Sequence, residues 1–269
     1  TAYRRQRQMC IRDRLMPDSS IEQIGTLTYY QHIAQLAERG YFDAIFFADN
    51  QSFNPSSDLD MPSMWYDPIV NLTAIAQVTH HIGLVATISS TFSNPFTTAR
   101  QLLTLDHMTN GRVGWNLVTS MTDEEARNHS LPALPEREER YAKADEFASV
   151  MNQLLTSWRG EDFVHDRATS TLIHADHIQP FQHHGKYFQV DGPSTAPQSP
   201  QGKPVAMQAG ASKQGVALAA KYADAVYSVS WNLKQARQYR EKLDQAIADS
   251  DRPEAQIQVF PCLLYTSDA

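Results

Sequence analysis

Five polar side chains stand where short apolar segments of this sequence end, and these are the residues best placed to bind a ligand. They are Asp49, Thr87, Asn116, Ser120 and Ser212. In a parallel α/β protein, ligands bind where strands give way to loops. We therefore predict that these side chains converge on one site at the carboxyl end of a sheet. The alternative is that polar residues simply mark where each strand stops.

A turn of four small residues is a second candidate. Ala209, Gly210, Ala211 and Ser212 follow a predicted strand and precede a predicted helix. The first backbone N–H groups of a helix bind phosphate well, because no group within the helix accepts from them. The Ser212 hydroxyl could donate to such a phosphate, but it would serve equally well as a helix N-cap. The residues alone leave both interpretations open.

The ten histidines do not form a recognisable metal-binding motif. His80 and His81 lie at the predicted end of a helix, where histidine interacts well with the helix dipole. His174 and His177 have a spacing compatible with metal ligands, but no His-Glu-x-x-His motif or carboxylate pattern accompanies them. We therefore expect no metal site. The chain also lacks the short motifs typical of serine hydrolases, P-loop NTPases and dinucleotide-binding domains.

Helices and strands alternate along most of the sequence. Short apolar segments predict strands at 42–48, 82–88, 113–118, 204–208, 225–229 and 257–260. Helical periodicity predicts helices at 21–40, 69–80, 96–108, 136–158, 213–222 and 233–248. The first two strands are apolar on both faces, as buried parallel strands are. This alternation predicts an α/β fold, a (β/α)8 barrel that is incomplete.

The alternation stops between residues 121 and 203. This segment contains the charged helix 136–158, a stretch rich in His, Asp and Thr, and a short exposed strand predicted at 185–190. It is too long for an ordinary connection. We interpret it as an insertion into the barrel that serves as a lid or in contacts between subunits.

Composition argues against several classes of protein. A formal net charge of −7 argues against a nucleic-acid partner, because nucleic-acid phosphates bind basic surfaces. No apolar run approaches the ~18 residues needed to cross a bilayer, so we expect no membrane segment. The cysteines, Cys10 and Cys262, lie near the two ends, so we expect a body without disulfide bonds and a cytoplasmic location.

The two ends differ in character from the rest of the chain. Residues 1–14 are rich in arginine and lack periodicity, and residues 262–269 follow directly on a predicted strand. Both segments resemble translated sequencing-adapter sequence, which leaves residues 15–261 as the predicted barrel domain. The alternative for residues 1–14 is a basic targeting peptide, but the segment has no apolar core and no Ser-rich amphipathic pattern.

The segment 106–120 closely resembles a signature of the bacterial-luciferase-like flavin monooxygenases. It reads Asp-His-Met-Thr-Asn-Gly-Arg-Val-Gly-Trp-Asn-Leu-Val-Thr-Ser. The sequence is most similar to the branch of nitrilotriacetate, dibenzothiophene-sulfone and long-chain alkane monooxygenases. Further matches lie at 42–49, 140–141, 144–147, 184–193 and 200–212. The matches run in order from about residue 27 to residue 261, so the resemblance covers most of the chain.

The resemblance implies a (β/α)8 barrel that binds FMN at the carboxyl ends of its strands. The family's flavin contacts correspond to Asp49, Thr87, Asn116, Ser120, Met121, Tyr141, Ala209, Gly210, Ala211 and Ser212. The phosphate would lie on the turn 209–212 near Tyr141, which favours a binding role for Ser212. The resemblance also implies truncation, with the first barrel strand before Leu15 and the last strands after Phe260.

The chain departs from the family pattern at two positions. Some relatives have His where this chain has Met121, and many have His where it has Arg137. Those histidines lie close to the reacting edge of the flavin. The resemblance therefore assigns no proton-handling residue here, and the catalytic residues stay unassigned. Arg137 could instead hold an anionic group.

The implied activity is that of a two-component monooxygenase. A separate NAD(P)H:flavin reductase would supply reduced FMN, which would react with O2 to give a C4a-(hydro)peroxyflavin. This species would oxygenate a small organic substrate by C–N cleavage, C–S cleavage or hydroxylation. A homodimer or larger homo-oligomer is also implied. Two alternatives stay open: a flavin-binding protein without oxygenase activity, and an inactive fragment whose barrel cannot close.

Overall fold

A six-stranded parallel sheet forms the centre of the computed structural model, which describes residues 20–53, 65–178 and 180–262. The strands in these residues are β1 (Ala44–Phe47), β2 (Gly83–Ser89), β3 (Val113–Val118), β4 (Phe163–Asp166), β5 (Thr171–Ile173), β6 (Gln182–His184), β7 (Gln189–Asp191), β8 (Val205–Gln208), β9 (Ala225–Val229) and β10 (Gln258–Cys262). The central sheet has the order β1-β2-β3-β8-β9-β10, with every neighbouring pair parallel. All six predicted barrel strands are confirmed.

Helices connect the parallel strands, because a parallel neighbour can be reached only by a crossover. They are α1 (Leu27–Arg39), α2 (Pro68–Ala76), α3 (Pro95–Met108), α4 (Asp123–Asn128), α5 (Arg137–Leu155), α6 (Lys213–Tyr222) and α7 (Leu233–Ala248). None of the helices in the described ranges is long and apolar enough to span a bilayer.

Side-chain caps set the start of most helices. The capping residues accept a hydrogen bond from a backbone N–H in the first turn, and they are Thr26, Asp67, Asn94, Thr122, Ser212 and Asn232. The cap at Thr26 corrects the predicted helix 21–40, which begins only at Leu27. Gly25 has a φ of 92°, and this left-handed residue separates the helix from the short 3-10 turn before it.

The main core lies between the sheet and the helices. Its fully buried members include Leu84 of β2, Leu102 of α3 and Phe147 of α5. The Phe147 ring packs against Trp115 of β3 with ring centroids 6.3 Å apart. Helix α5 falls within the predicted insertion, and it also covers the sheet between β3 and β8.

The sheet curls into part of a barrel. Phe46 of β1 and Tyr227 of β9 stack with ring centroids 6.1 Å apart, although three strands separate β1 from β9 in the sheet. The predicted incomplete α/β barrel is therefore confirmed. One expectation is wrong: β1 is not buried on both faces, since Phe46 is 39% exposed. Among the described residues β1 has a single neighbouring strand, so its inner face is only partly covered.

The prediction of an exposed strand at 185–190 is also wrong. Residues 185–188 form the turn of a hairpin between β6 and β7. Glu146 of α5 accepts hydrogen bonds from the backbone N–H groups of Tyr187 and Phe188, which holds this turn against the helix. Phe188 and Val190 are buried, so this part of the chain is not the exposed strand that the sequence predicted.

Candidate functional site

The carboxyl ends of β2 and β3 are joined by side chains as well as by the sheet. The hydroxyl oxygens of Ser89 and Ser120 lie 2.7 Å apart. The Ser90 hydroxyl donates to the carbonyl of Val118, and the Thr91 hydroxyl donates to the carbonyl of Thr119. These bonds continue the pairing of the two strands into their loops, and they give this edge of the sheet a fixed polar rim.

Thr87 and Asn116 form a buried polar pair just inside this rim. They are register partners on β2 and β3, and the Asn116 Nδ2 donates to the Thr87 hydroxyl at 3.2 Å. Asn116 is only 3% exposed, and its Oδ1 has no hydrogen-bond partner in the described part of the chain. A buried acceptor without a donor is unfavourable. Trp115 Nε1 and Ser199 Oγ are likewise buried without a partner in the described residues, but of these three atoms only the Asn116 Oδ1 belongs to a predicted site residue.

The turn after β8 forms a second polar group. Ser212 caps α6 by accepting from the Gly215 N–H at 3.1 Å, so the capping role proposed from the sequence is confirmed. The Tyr141 hydroxyl lies 3.3 Å from the Ser212 hydroxyl. The Gln208 side-chain oxygen accepts from the N–H of Gly210 at 2.6 Å, which fixes the turn where it leaves β8. The role of Ala209, Gly210, Ala211 and Ser212 toward phosphate stays a prediction.

Asp49 lies in a separate cavity of about 590 Å³ beside the loop that follows β1. The lining includes Gln51, Asp67 and His129. The Gln51 side-chain amide donates to Asp49 at 2.7 Å. Burial raises the pKa of the Asp49 carboxyl, and the nearby carboxylates of Asp67 and Glu125 raise it further. Asp49 makes no hydrogen bond to the Thr87–Asn116 pair or to the turn 209–212 within the described ranges.

Met121 and Arg137, the two departures from the family pattern, lie at the surface. Met121 is 86% exposed directly after Ser120. The Arg137 guanidinium lies over the Tyr141 ring, 5.8 Å from its centroid. Arg137 makes no ion pair with a described carboxylate. Neither position carries an imidazole.

Two charged side chains near Ser120 were missed by sequence reasoning. Arg140 donates to the carbonyl of Ser120, and Glu125 accepts from the N–H of Met121. Both residues lie in highly charged segments, which predict solvated helix faces. The Thr122-x-x-Glu125 spacing could have revealed Glu125, because it is typical of a capping box and places this carboxylate beside the preceding loop.

Two histidines of the segment 121–203 pair with carboxylates. His183 contacts Glu146 at 3.0 Å, and His177 contacts Asp162 at 3.1 Å. Across the residues that the structure describes, no group of three or more His, Cys, Asp or Glu side chains is arranged to hold a metal ion.

Comparisons with known protein families, sequences and structures all indicate one family. The luciferase-like monooxygenase family model matches residues 9–267. N-acetyl-S-(2-succino)cysteine monooxygenase of Bacillus subtilis (strain 168) is 37% identical over 245 residues, with 91% of this chain and 55% of the relative covered. The chain thus spans about half the length of this curated relative.

Two solved structures share the fold. Long-chain alkane monooxygenase superposes with a TM-score of 0.84 at 31% identity, covering 91% of this chain and 58% of that one. A riboflavin lyase, solved with modified FMN and riboflavin, gives a TM-score of 0.84 at 25% identity and covers 91% and 57%. The resemblance seen in the sequence is confirmed by both the family model and these structures. The chain belongs to the luciferase-like monooxygenase family.

Proposed function

We propose that this chain is the flavin-binding part of a monooxygenase that takes reduced FMN from a separate NAD(P)H:flavin reductase and oxygenates a small organic substrate with O2. When bound, reduced FMN would activate O2 for transfer of one oxygen atom to that substrate. The observation that carries the proposal is the unpartnered, buried Oδ1 of Asn116 at the carboxyl ends of the strands. Membership of the family supports the reaction class.

The Thr87–Asn116 pair fits the flavin ring. An isoalloxazine carries ring N–H donors beside carbonyl acceptors, and the Asn116 Oδ1 offers a buried acceptor for a ring N–H. The hydroxyls of Ser89 and Ser120 can each donate or accept beside it. Their mutual contacts fix the positions of these groups before a ligand binds, which limits the entropy lost on binding.

The turn 209–212 fits the phosphate of FMN. It leads into α6, whose first N–H groups have no acceptor within the helix and carry the positive end of the helix dipole. The Tyr141 hydroxyl reaches the same point from α5, as its contact with Ser212 shows. A phosphate would therefore meet backbone donors and two hydroxyls together.

Asp49 and Met121 would complete the flavin contacts from the loops after β1 and β3. Burial raises the pKa of the Asp49 carboxyl, and the Gln51 side-chain amide donates to it at 2.7 Å. Residues 121–203 would form a lid and part of a dimer or larger homo-oligomer, and would keep water from the reacting centre. No side chain is proposed as the proton-handling group, given Met121 and Arg137.

We further propose that residues 15–261 form the flavin-binding domain and that the protein is located in the cytoplasm. Residues 1–14 and 262–269 would lie outside that domain.

Flavin binding tests the first half of the proposal. Titration of the chain with FMN, followed by flavin fluorescence, should give saturable binding that is stronger than binding of riboflavin, because riboflavin lacks the phosphate. Equal binding of the two flavins would refute the phosphate site. Absence of any binding would support the alternative of an inactive fragment.

Reaction with oxygen tests the second half. Protein-bound reduced FMN is mixed with O2 under stopped flow, and its absorbance changes are compared with those of free reduced FMN. We expect an additional, longer-lived absorbance phase and slower release of hydrogen peroxide. A flavin-binding protein without oxygenase activity would reoxidise FMN in the same phases as free solution, and that result would refute the monooxygenase proposal.

A further inference from the structure

The peptide bond between Ser120 and Met121 is held by two side chains of opposite charge. The Arg140 Nη1 donates to the carbonyl of Ser120 at 2.5 Å. The Glu125 Oε2 accepts from the N–H of Met121 at 3.1 Å. Both ends of one peptide dipole therefore meet a charge that stabilises it, and hydrogen bonds to charged groups are stronger than those between neutral groups.

This peptide follows a residue in an unfavourable conformation. Ser120 has a φ of 57°, in the left-handed region that residues with a Cβ adopt at a cost in free energy. It is also buried, at 7% exposure, with its hydroxyl 2.7 Å from that of Ser89. A glycine would adopt this φ without strain. Serine keeps a hydroxyl at this point, and the two charged contacts offset the strain.

Arg140 and Glu125 are themselves held in place. Arg140 donates its Nε to the carbonyl of Pro135 at 3.0 Å and its Nη1 also to the carbonyl of Thr119 at 3.3 Å. Within the described ranges this guanidinium binds only backbone carbonyls, just before α5 and just after β3.

Glu125 is 6% exposed and uses both of its oxygens. Its Oε2 also accepts from the N–H and the hydroxyl of Thr122, and its Oε1 accepts from the N–H of Gln51 at 3.5 Å. It thereby ties the loop after β1 to the loop after β3. One carboxylate thus connects the side of the site that carries Asp49 with the side that carries Ser120.

We propose that Arg140 and Glu125 are positioning residues of the flavin site. They fix Ser120 in the left-handed conformation, so that its hydroxyl stays beside Ser89 and the Met121 side chain projects outward. This inference rests on the proposed function for the role of Ser120 toward flavin. The backbone conformation itself does not depend on flavin and can be measured separately.

The first experiment therefore uses the chain without flavin. Carbon chemical shifts and the amide-to-α-proton coupling of Ser120 report the sign of φ by NMR. We expect left-handed values in the unchanged chain, and averaged values in Arg140→Lys and Glu125→Gln. Lysine keeps the charge but loses the forked geometry, and glutamine keeps the shape but offers one acceptor oxygen instead of two.

Two neighbouring variants serve as matched controls. Glu124→Gln and Arg127→Lys change the same residue types on α4, in an ion pair that is half exposed and 3.2 Å long. Surface pairs of this kind contribute little. Both controls should leave the Ser120 signals and the flavin affinity unchanged.

The second experiment measures FMN affinity and the visible spectrum of bound flavin. Arg140→Lys and Glu125→Gln should bind FMN about ten times more weakly or worse, with a shifted spectrum, because loss of a charged hydrogen bond has effects of this size. Adding Ser120→Gly should restore the melting temperature of either variant without restoring FMN affinity. A merely structural role of Arg140 and Glu125 predicts a lower melting temperature with unchanged affinity and spectrum of bound FMN.

The outcomes separate the two proposals. If the unchanged chain does not bind FMN, the proposed function fails, while the Ser120 signals still decide whether Arg140 and Glu125 fix the peptide. If both variants keep the left-handed signals, the positioning role is refuted. It is equally refuted if the unchanged chain binds FMN and both variants bind it with the same affinity and spectrum.

Discussion

The unpartnered carbonyl of Asn116 predicts that Asn116→Leu will weaken ligand binding while leaving stability nearly unchanged. Leucine has nearly the shape of asparagine, so the substitution removes polar groups without opening a large cavity. The Asn116 Oδ1 is buried and accepts no hydrogen bond in the described structure, whereas the Nδ2 donates to Thr87 at 3.2 Å.

The expected change in the free energy of unfolding follows from these two groups. Removing a buried, unsatisfied acceptor stabilises by about 1–3 kcal/mol. Losing the bond to Thr87 leaves the buried Thr87 hydroxyl without the Asn116 donor, which destabilises by about 1–3 kcal/mol. The two effects nearly cancel, so the net expectation is a change of less than about 1 kcal/mol, or less than about 2–4 °C in melting temperature for a chain of this size. FMN affinity should fall about tenfold or more, since one ligand hydrogen bond is lost.

Thermal melting without ligand and FMN titration by fluorescence give the two quantities. Ser199→Ala is the matched control, because the Ser199 hydroxyl is also buried without a partner in the described structure but lies outside the candidate site. It should raise the melting temperature slightly and leave FMN affinity unchanged. Our reasoning is refuted if Asn116→Leu lowers the melting temperature by many degrees while FMN affinity stays the same, because Asn116 would then be a structural residue.

Three further predictions concern separate parts of the chain. Tyr141→Phe removes the hydroxyl that meets Ser212 at 3.3 Å, so fluorescence titration should show FMN affinity reduced about five- to tenfold and riboflavin affinity unchanged. Glu38 is partly buried, yet three backbone N–H donors lower its pKa from 4.5 to about 2. The ionised Glu38 carboxylate stabilises the fold fully above pH 4.5, and this stabilisation is lost as the pH falls toward 2. In Glu38→Gln, the melting temperature should therefore depend less on pH over this range. Gly111→Ala places a Cβ on a residue with a φ of 85° and only 3.3 Å from Gln201. Urea unfolding should show the free energy of unfolding reduced by about 1–2 kcal/mol.

Local periodicity was sufficient to place the six strands of the central sheet and most helices, because burial against a helical layer leaves a direct pattern in the sequence. It did not predict the short strands β4, β5 and β6 or helix α4. The errors occurred where tertiary context decides. Strand β1 has an apolar sequence on both faces, yet Phe46 is exposed because β1 is an edge strand among the described residues. The turn at 185–188 has strand-like residues, but Glu146, some forty residues earlier in the chain, binds its N–H groups.

The polar residues of the candidate site also divide into those that local sequence predicts and those that tertiary contacts decide. The position of Asn116 beside Thr87 follows from the strand ends, and register pairing confirms that they are neighbours. The left-handed Ser120 has no local signal, since serine is not a residue that favours positive φ. Its conformation depends on Arg140 and Glu125, whose sequence context predicts surface charges.

Helix α5 links these observations, because its charged residues bind backbone groups of the loops. Arg140 donates to the carbonyl of Ser120, and Lys143 donates to the carbonyl of Thr91 at 2.7 Å, with burial lowering the pKa of its ammonium group. Tyr141, between them, reaches the turn before α6. The opposite face of the helix carries Phe147 into the core. One helix thus sets the loops after β2, β3 and β8 relative to the sheet, so a shift of α5 would move the ring-binding and phosphate-binding parts of the candidate site together.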